Sequence, residues 1–123
     1  MPSAMNQMSQ AATINIITPV SQGAGAFLSS AIDLLDYEGV AEFVQNLGVL
    51  SGAFTVPKLT HSDTSGGTYT DVDQGGQAFG TTASLLTSVK VNVSELKRFV
   101  KYGATVGTSA LISVTMSGFK KYR

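Results

Sequence analysis

The chain has no cysteine, no tryptophan, one histidine and three prolines in 123 residues. Without cysteine, neither a disulfide framework nor a thiolate metal site can form, and a lone histidine excludes a His-rich zinc site. Charge is scarce too. Asp, Glu, Lys and Arg make up 13% of the residues, about half the usual share of roughly 25%. The eight basic and eight acidic residues cancel to a formal net charge of zero. A freely soluble monomer keeps more charge on its surface, so this balance suits a subunit packed against neighbours. It argues against nucleic acid as a partner, because phosphate binding needs a clustered Lys/Arg surface. No apolar run approaches the roughly 18 residues of a membrane span. The opening MPSAMNQMSQAA carries no positive charge and no apolar stretch of signal-peptide length. The expectation is a protein made and used without secretion or membrane insertion.

Ser, Thr, Asn, Gln and Gly fill the polar positions instead, between short β-prone runs. Residues 1–12 are polar and small, without periodicity, and read as a flexible or partner-ordered arm. A first strand is expected at Thr13–Thr18, with Ile14 and Ile16 on one face and Pro19 as its stop. Gly23-Ala24-Gly25 reads as a bend or bulge, since it lacks the strand–turn–helix context of a dinucleotide site. A second strand follows at Ala26–Ser29, and Ala31–Leu34 offers a third. In residues 33–50, Val40, Phe43, Val44 and Leu47 have helical spacing, but Gly39 and Gly48 bracket so short a run that a buried strand is preferred. Around Asp63-Thr64-Ser65-Gly66-Gly67 a hairpin is expected, with the glycine pair free to take positive φ.

The C-terminal half alternates with period two. Leu85, Thr87, Val89, Val91 and Val93 share one face. Val100, Tyr102, Ala104 and Val106 align in a strand over Arg98–Val106. Ala110, Ile112, Val114 and Met116 point inward over Thr108–Gly118, against Leu111, Ser113, Thr115 and Ser117. The fold class is therefore all-β: an antiparallel, jelly-roll-like β-sandwich of about seven or eight strands over 13–118.

Chemistry is sparse. His61, Ser62 and Asp63 have the residue types of a hydrolase triad, but neighbours in an extended chain point to opposite faces and cannot converge in that order. A strand-end cap explains them better. Asp63, Asp71 and Asp73 match no calcium-loop spacing. No catalytic, cofactor or metal residues are assigned, and the chain is not read as an enzyme. The tail Phe119-Lys120-Lys121-Tyr122-Arg123 is the candidate partner-binding segment. Phe119 and Tyr122 would serve as anchors, and the cations would steer the encounter.

The blocks VAEFVQNLGVLSGAFTVPKLTHSDTSGGTYTDV and SLLTSVKVNVSELKRFVKYGATVGTSALISVTMSGFKKYR resemble a family of small tailed-phage virion proteins. The resemblance spans about residues 30–123 and keeps the order of the blocks. It implies a capsid decoration, or cement, protein on the virion exterior, made in the host cytoplasm. The implied partner is the major capsid protein, and the implied assembly is a homo-oligomer, with a trimer favoured. A looser similarity links Ser62-Asp63, Thr68-Tyr69-Thr70 and Arg98-Phe99-Val100 to discoidin-type carbohydrate-binding jelly rolls, although Tyr69 stands where tryptophan is usual. It implies an alternative, a virion-displayed glycan- or host-surface-binding module using Tyr37, Tyr69 and Asp71.

Overall fold

The architecture follows from one very long strand. In the computed structural model, which describes residues 11–72 and 79–120, the chain runs β1 (Ala11–Leu28), β2 (Ile32–Asp33), β3 (Tyr37–Ser51), β4 (Phe54–Ser62), β5 (Thr70–Asp71), β6 (Leu86–Asn92), a 3₁₀ turn (Val93–Glu95) and β7 (Phe99–Lys120). All pairings are antiparallel. β7, 22 residues long, is the spine. Its C-terminal half lies between β1 and β3. Its N-terminal half lies between β4 on one side and β2 with the end of β1 on the other. Adding β6 outside β3 and β5 outside β4 gives two four-stranded layers. Layer one has the order β1–β7–β3–β6, and layer two the order β2–β7–β4–β5. This is a jelly-roll wrap, in which long strands cross from one layer to the other.

Glycines make the crossing. Gly23 pairs with Ser109 and Gly25 with Val106, with a register shift between them. On the other side Ser51 pairs with Ser109 and Phe54 with Val106. The bend therefore runs across the sheet through Gly23–Gly25, Gly107–Thr108 and Gly52–Ala53. Gly25 and Gly52 have φ of +113° and +77°, which glycine adopts at little steric cost. The Gly107 N–H donates to the Ala53 carbonyl at 2.6 Å. A Cβ on Gly107 would lie 2.6 Å from the Ala53 nitrogen, so the backbones touch only because no side chain intervenes.

The two layers close on alternating inward residues: Ala41, Phe43 and Leu47 from β3, Leu59 from β4, Val89 and Val91 from β6, and Val100, Tyr102, Val106, Ala110, Ile112, Val114 and Met116 from β7. A polar bridge crosses this core. The fully buried Tyr102 hydroxyl of layer two donates to Gln45 Oε1 of layer one, and Gln45 Nε2 donates to the Gly80 carbonyl at 2.7 Å. Phe79 meets the Tyr102 ring edge-on at 5.4 Å. Burial pushes the Tyr102 phenol above its usual range.

Several sequence expectations are met, among them the strand at β3, the alternating faces of β6 and β7, and the bend at Gly23–Gly25. Others need correction. Pro19 does not stop β1, which continues to Leu28 and absorbs the strand expected at Ala26–Ser29. Pro19 sits in an irregularity between the pairs Ile17–Val114 and Val20–Ile112 of an edge strand, where its missing N–H costs no ladder bond. The two strands expected at Arg98–Val106 and Thr108–Gly118 are one. The third strand shrinks to Ile32–Asp33. Gly66 and Gly67 are not in the positive-φ region. That turn is closed by Gly67 N–H to the Thr64 carbonyl and Thr64 N–H to Ser62 Oγ. Of the expected N-terminal arm, residues 1–10 lie outside the described residues, and Ala11 and Ala12 open β1 opposite Phe119 and Gly118.

Candidate interaction surfaces

The outer face of layer one is set by register. Thr13, Ser117, Glu42 and Lys90 form one cross-strand row, and Asn15, Thr115, Val44 and Ser88 the next. Ser113, Asn46 and Leu86 follow, with Leu111 beyond Ser113 along β7. The side chains are short and uncharged apart from Glu38, Glu42 and Lys90, and Glu42 and Lys90 sit opposite each other. Thr13 and Ser117 share a hydrogen bond at 3.0 Å. Between these polar groups stand exposed apolar residues: Val40, Leu86, Leu111 and Phe119, the last 42% exposed. Shallow grooves flank Phe119 and Leu111. One, of about 480 Å³, is lined by Val40, Glu42, Lys90, Ser117 and Phe119; the other, of about 440 Å³, includes Val20, Asn46 and Leu111.

Of the expected tail site, Phe119 and Lys120 end β7, while Lys121, Tyr122 and Arg123 lie outside the described residues. Phe119 lies on the outer face. The Lys120 ammonium is 5.9 Å from the Tyr37 ring. Sequence reasoning singled out Phe119, which the structure places on this face, but not the exposed Val40, Leu86 and Leu111 that share it. The signal was there: Leu111 leads an outward row of Ser113, Thr115 and Ser117 that contains no charge at all.

Layer two presents different chemistry. Lys58 pairs with Asp71 at 2.9 Å, and the Lys101 ammonium lies 4.4 Å over the Tyr69 ring. The Tyr69 hydroxyl donates to the Ser65 carbonyl. Beside them a groove of about 440 Å³ runs past Leu28, Val56 and Thr60 over Gly103. The Thr60 hydroxyl is buried without a hydrogen-bond partner among the described residues. Of the three residues suggested for glycan contact, Tyr69 and Asp71 thus flank one face. Tyr37 is buried, its ring placed where a Cβ on Gly118 would come within 3.0 Å of it.

His61 Nδ1 accepts the Lys97 N–H at 3.2 Å, tying β4 to the segment that enters β7. Ser62 Oγ caps the following turn on the opposite face, so the two side chains are not brought together. Asp71 is held by Lys58, Asp63 is exposed in the turn, and Asp73 lies outside the described residues. The best-held ion pair is elsewhere: Arg98 binds Asp33 through two hydrogen bonds of 3.0 and 2.9 Å. That guanidinium holds the Asp33 carboxyl below the usual carboxylate range.

No family model matches the chain, and no curated protein matches it in sequence. Solved structures do match in fold. The SPBc2 prophage-derived protein YomS aligns with a TM-score of 0.54 at 11% identity, covering 88% of this chain and 91% of that one. The VP2 subviral particle of infectious bursal disease virus aligns with a TM-score of 0.56 at 10% identity, covering 90% of this chain. This chain spans 32% of that VP2 chain. A protein of Bacillus endospore appendages, which form disulfide-linked pili, aligns with a TM-score of 0.51 at 13% identity, covering 90% of this chain and 88% of that one. At these identities the likeness establishes the all-β sandwich fold that the chain shares with them.

Proposed function

We propose that this chain is a virion structural protein, specifically a bacteriophage capsid decoration subunit that docks on the major capsid protein lattice. The observation that carries this reading is the outer face of layer one. It is extended, built mostly of short uncharged side chains with charge confined to Glu38, Glu42 and Lys90, and studded with Val40, Leu86, Leu111 and Phe119. Apolar and aromatic anchors such as these are what an interface core is built around. The basic tail that follows Phe119 would steer the encounter and rim the contact. The fold neighbours include a prophage-derived protein and a viral particle protein, which supports the class. A disulfide-linked assembly is chemically impossible for a chain without cysteine. The mechanism is mass action. A subunit that binds the assembled shell and not the loose coat protein stabilises the shell in proportion to the logarithm of its concentration over Kd.

The test uses expanded capsids of the parent virus lacking this protein. Added wild-type chain saturates them and raises their melting temperature, while Phe119→Ser and removal of residues 119–123 each lower affinity by roughly 30-fold, as loss of a hot spot does. Unchanged occupancy for both variants would overturn the reading. A second reading, a virion-displayed glycan-binding module, draws on Tyr69 and Asp71 beside Lys58 and Lys101 in layer two. A glycan array blank at high protein concentration would remove it.

A further inference from the structure

Every sheet edge needs protection from pairing with another chain, and the four edges formed by the described residues differ. β2 and β5 are two residues long. β1 carries Pro19 and three register irregularities. β6 has none of these devices: seven residues in unbroken register with β3, containing neither proline nor glycine.

The pairing also shows which peptide groups β6 leaves open. Leu47 N–H donates to the Leu85 carbonyl at 3.0 Å, which makes 47 and 85 a hydrogen-bonded pair in the β3–β6 register. Such pairs alternate along an antiparallel ladder. Thr87, Val89 and Val91 therefore bond to β3, and Leu86, Ser88 and Lys90 turn their N–H and C=O outward. All three residues are exposed, Leu86 by 63%. Asn92, the last residue of β6, also faces away from β3 but is the N-cap residue of the 3₁₀ turn, so the run of outward groups ahead of that turn is centred on Ser88.

We propose that β6 is the site of a two-fold contact between two copies of this chain, an antiparallel β6–β6 pairing centred on Ser88 that continues layer one across both subunits. In this register Ser88 meets the second copy's Ser88, and Leu86 and Lys90 meet the other copy's Lys90 and Leu86. The three pairs exchange about six backbone hydrogen bonds. Chemistry selects a second copy as the occupant. The exposed Leu86 is covered by the aliphatic stem of the opposing lysine. The two lysine charges avoid direct opposition, and each has Glu42 opposite it within its own subunit. A register centred on Lys90 would place like charges face to face. The contact needs no capsid and stands independently of the decoration reading.

The test is the solution mass of the full chain by light scattering, alone and with two variants. Wild type is expected near twice 12.8 kDa. Ser88→Pro removes an N–H that points away from β3, a position where an edge strand tolerates proline, and yields a folded monomer. Ser88→Cys supplies the chain's only thiol. At a hydrogen-bonded pair the two Cα atoms sit roughly 5.5 Å apart, within disulfide reach, so mild oxidation converts that variant into a covalent dimer. This second readout holds if Ser88→Pro fails to fold. A wild-type monomer at every soluble concentration, a closed trimer, or resistance of the Ser88→Cys variant to cross-linking would overturn the two-fold pairing. Capsid occupancy is a separate measurement, so failure of one proposal is distinguishable from failure of the other.

Discussion

The two outer faces of this sandwich are built on the same strand, β7, and solve the problem of exposure differently. Layer two engages its charged groups and its tyrosine within itself: Lys58 with Asp71, Lys101 with the Tyr69 ring, the Tyr69 hydroxyl with Ser65. Layer one spreads short hydroxyl and amide side chains between exposed Val40, Leu86, Leu111 and Phe119. A face whose charges are already paired has less to gain from a partner than a face of small, readily desolvated groups around apolar anchors. The two faces thus differ less in how many charges they carry than in how those charges are engaged.

The severest way to break the comparison is to break the bend that creates two layers. Gly107→Val places a Cβ 2.6 Å from the Ala53 nitrogen and 3.0 Å from its carbonyl oxygen. The expected cost is about 3 kcal/mol, the upper end for overpacking, read as a lower urea midpoint. Gly23→Ala is the control at the same bend. Nothing lies within 4 Å of a Cβ there and its φ is unremarkable, so its effect stays within about 0.5 kcal/mol. Equal effects from the two would refute the bend as the close contact.

Next in size is the bridge between the layers. Tyr102→Phe leaves Gln45 Oε1 buried and unsatisfied, and Gln45→Leu strands both the Tyr102 hydroxyl and the Gly80 carbonyl. Each single change is expected to cost about 1–3 kcal/mol. The double variant should cost well under the sum, and a double-mutant cycle with no coupling would show that the bridge contributes nothing. The phenol adds a pH signature. Its folded pKa is raised, so the stability it contributes is present below its unfolded value near roughly 10 and is lost as pH rises further. Tyr102→Phe should flatten that alkaline loss.

The faces can then be compared directly. Leu111→Lys and Val56→Lys replace exposed apolar residues on layer one and layer two, and each should leave stability within about 0.5 kcal/mol. Only Leu111→Lys should weaken capsid binding, by about tenfold or more. Equal loss from both would mean that the partner reads both faces.

Much of this was legible in the sequence. Period-two alternation assigned the faces of β6 and β7 correctly because each strand buries one side. The choice of strand over helix for β3 held because Gly39, at φ +76°, opens a run whose odd residues, Ala41, Phe43, Gln45 and Leu47, all face the core. Low charge suggested a chain packed against neighbours but pointed to no particular face. The continuity of β1 through Pro19 and of β7 through Gly107 was not legible, because proline and glycine ordinarily end strands. Here they sit at an edge irregularity and at the bend, and both roles depend on neighbours distant in sequence. For the same reason the Tyr102–Gln45 bridge could not be foreseen from residues 57 positions apart.

The smallest effect tests the end of the sandwich where the two layers meet β2. Asp33 and Arg98 are both about half exposed, so solvent screens their attraction and little stability rides on it. Its sign is nevertheless definite. Arg98 lowers the folded pKa of Asp33, so the contribution is present above the unfolded carboxylate value, near roughly 4, and is lost as pH falls through the folded value. Asp33→Asn should therefore lower stability slightly at pH 7 and leave it unchanged at the acid end, where the wild-type carboxyl is itself protonated. The Asp33→Asn and wild-type pH–stability curves should converge once pH has fallen below the lowered folded value of Asp33. Curves that stay parallel over the whole range would mean that the bond from the Leu35 N–H to the Asp33 side chain, which asparagine's own carbonyl can still accept, sets the local geometry and that the charge is incidental.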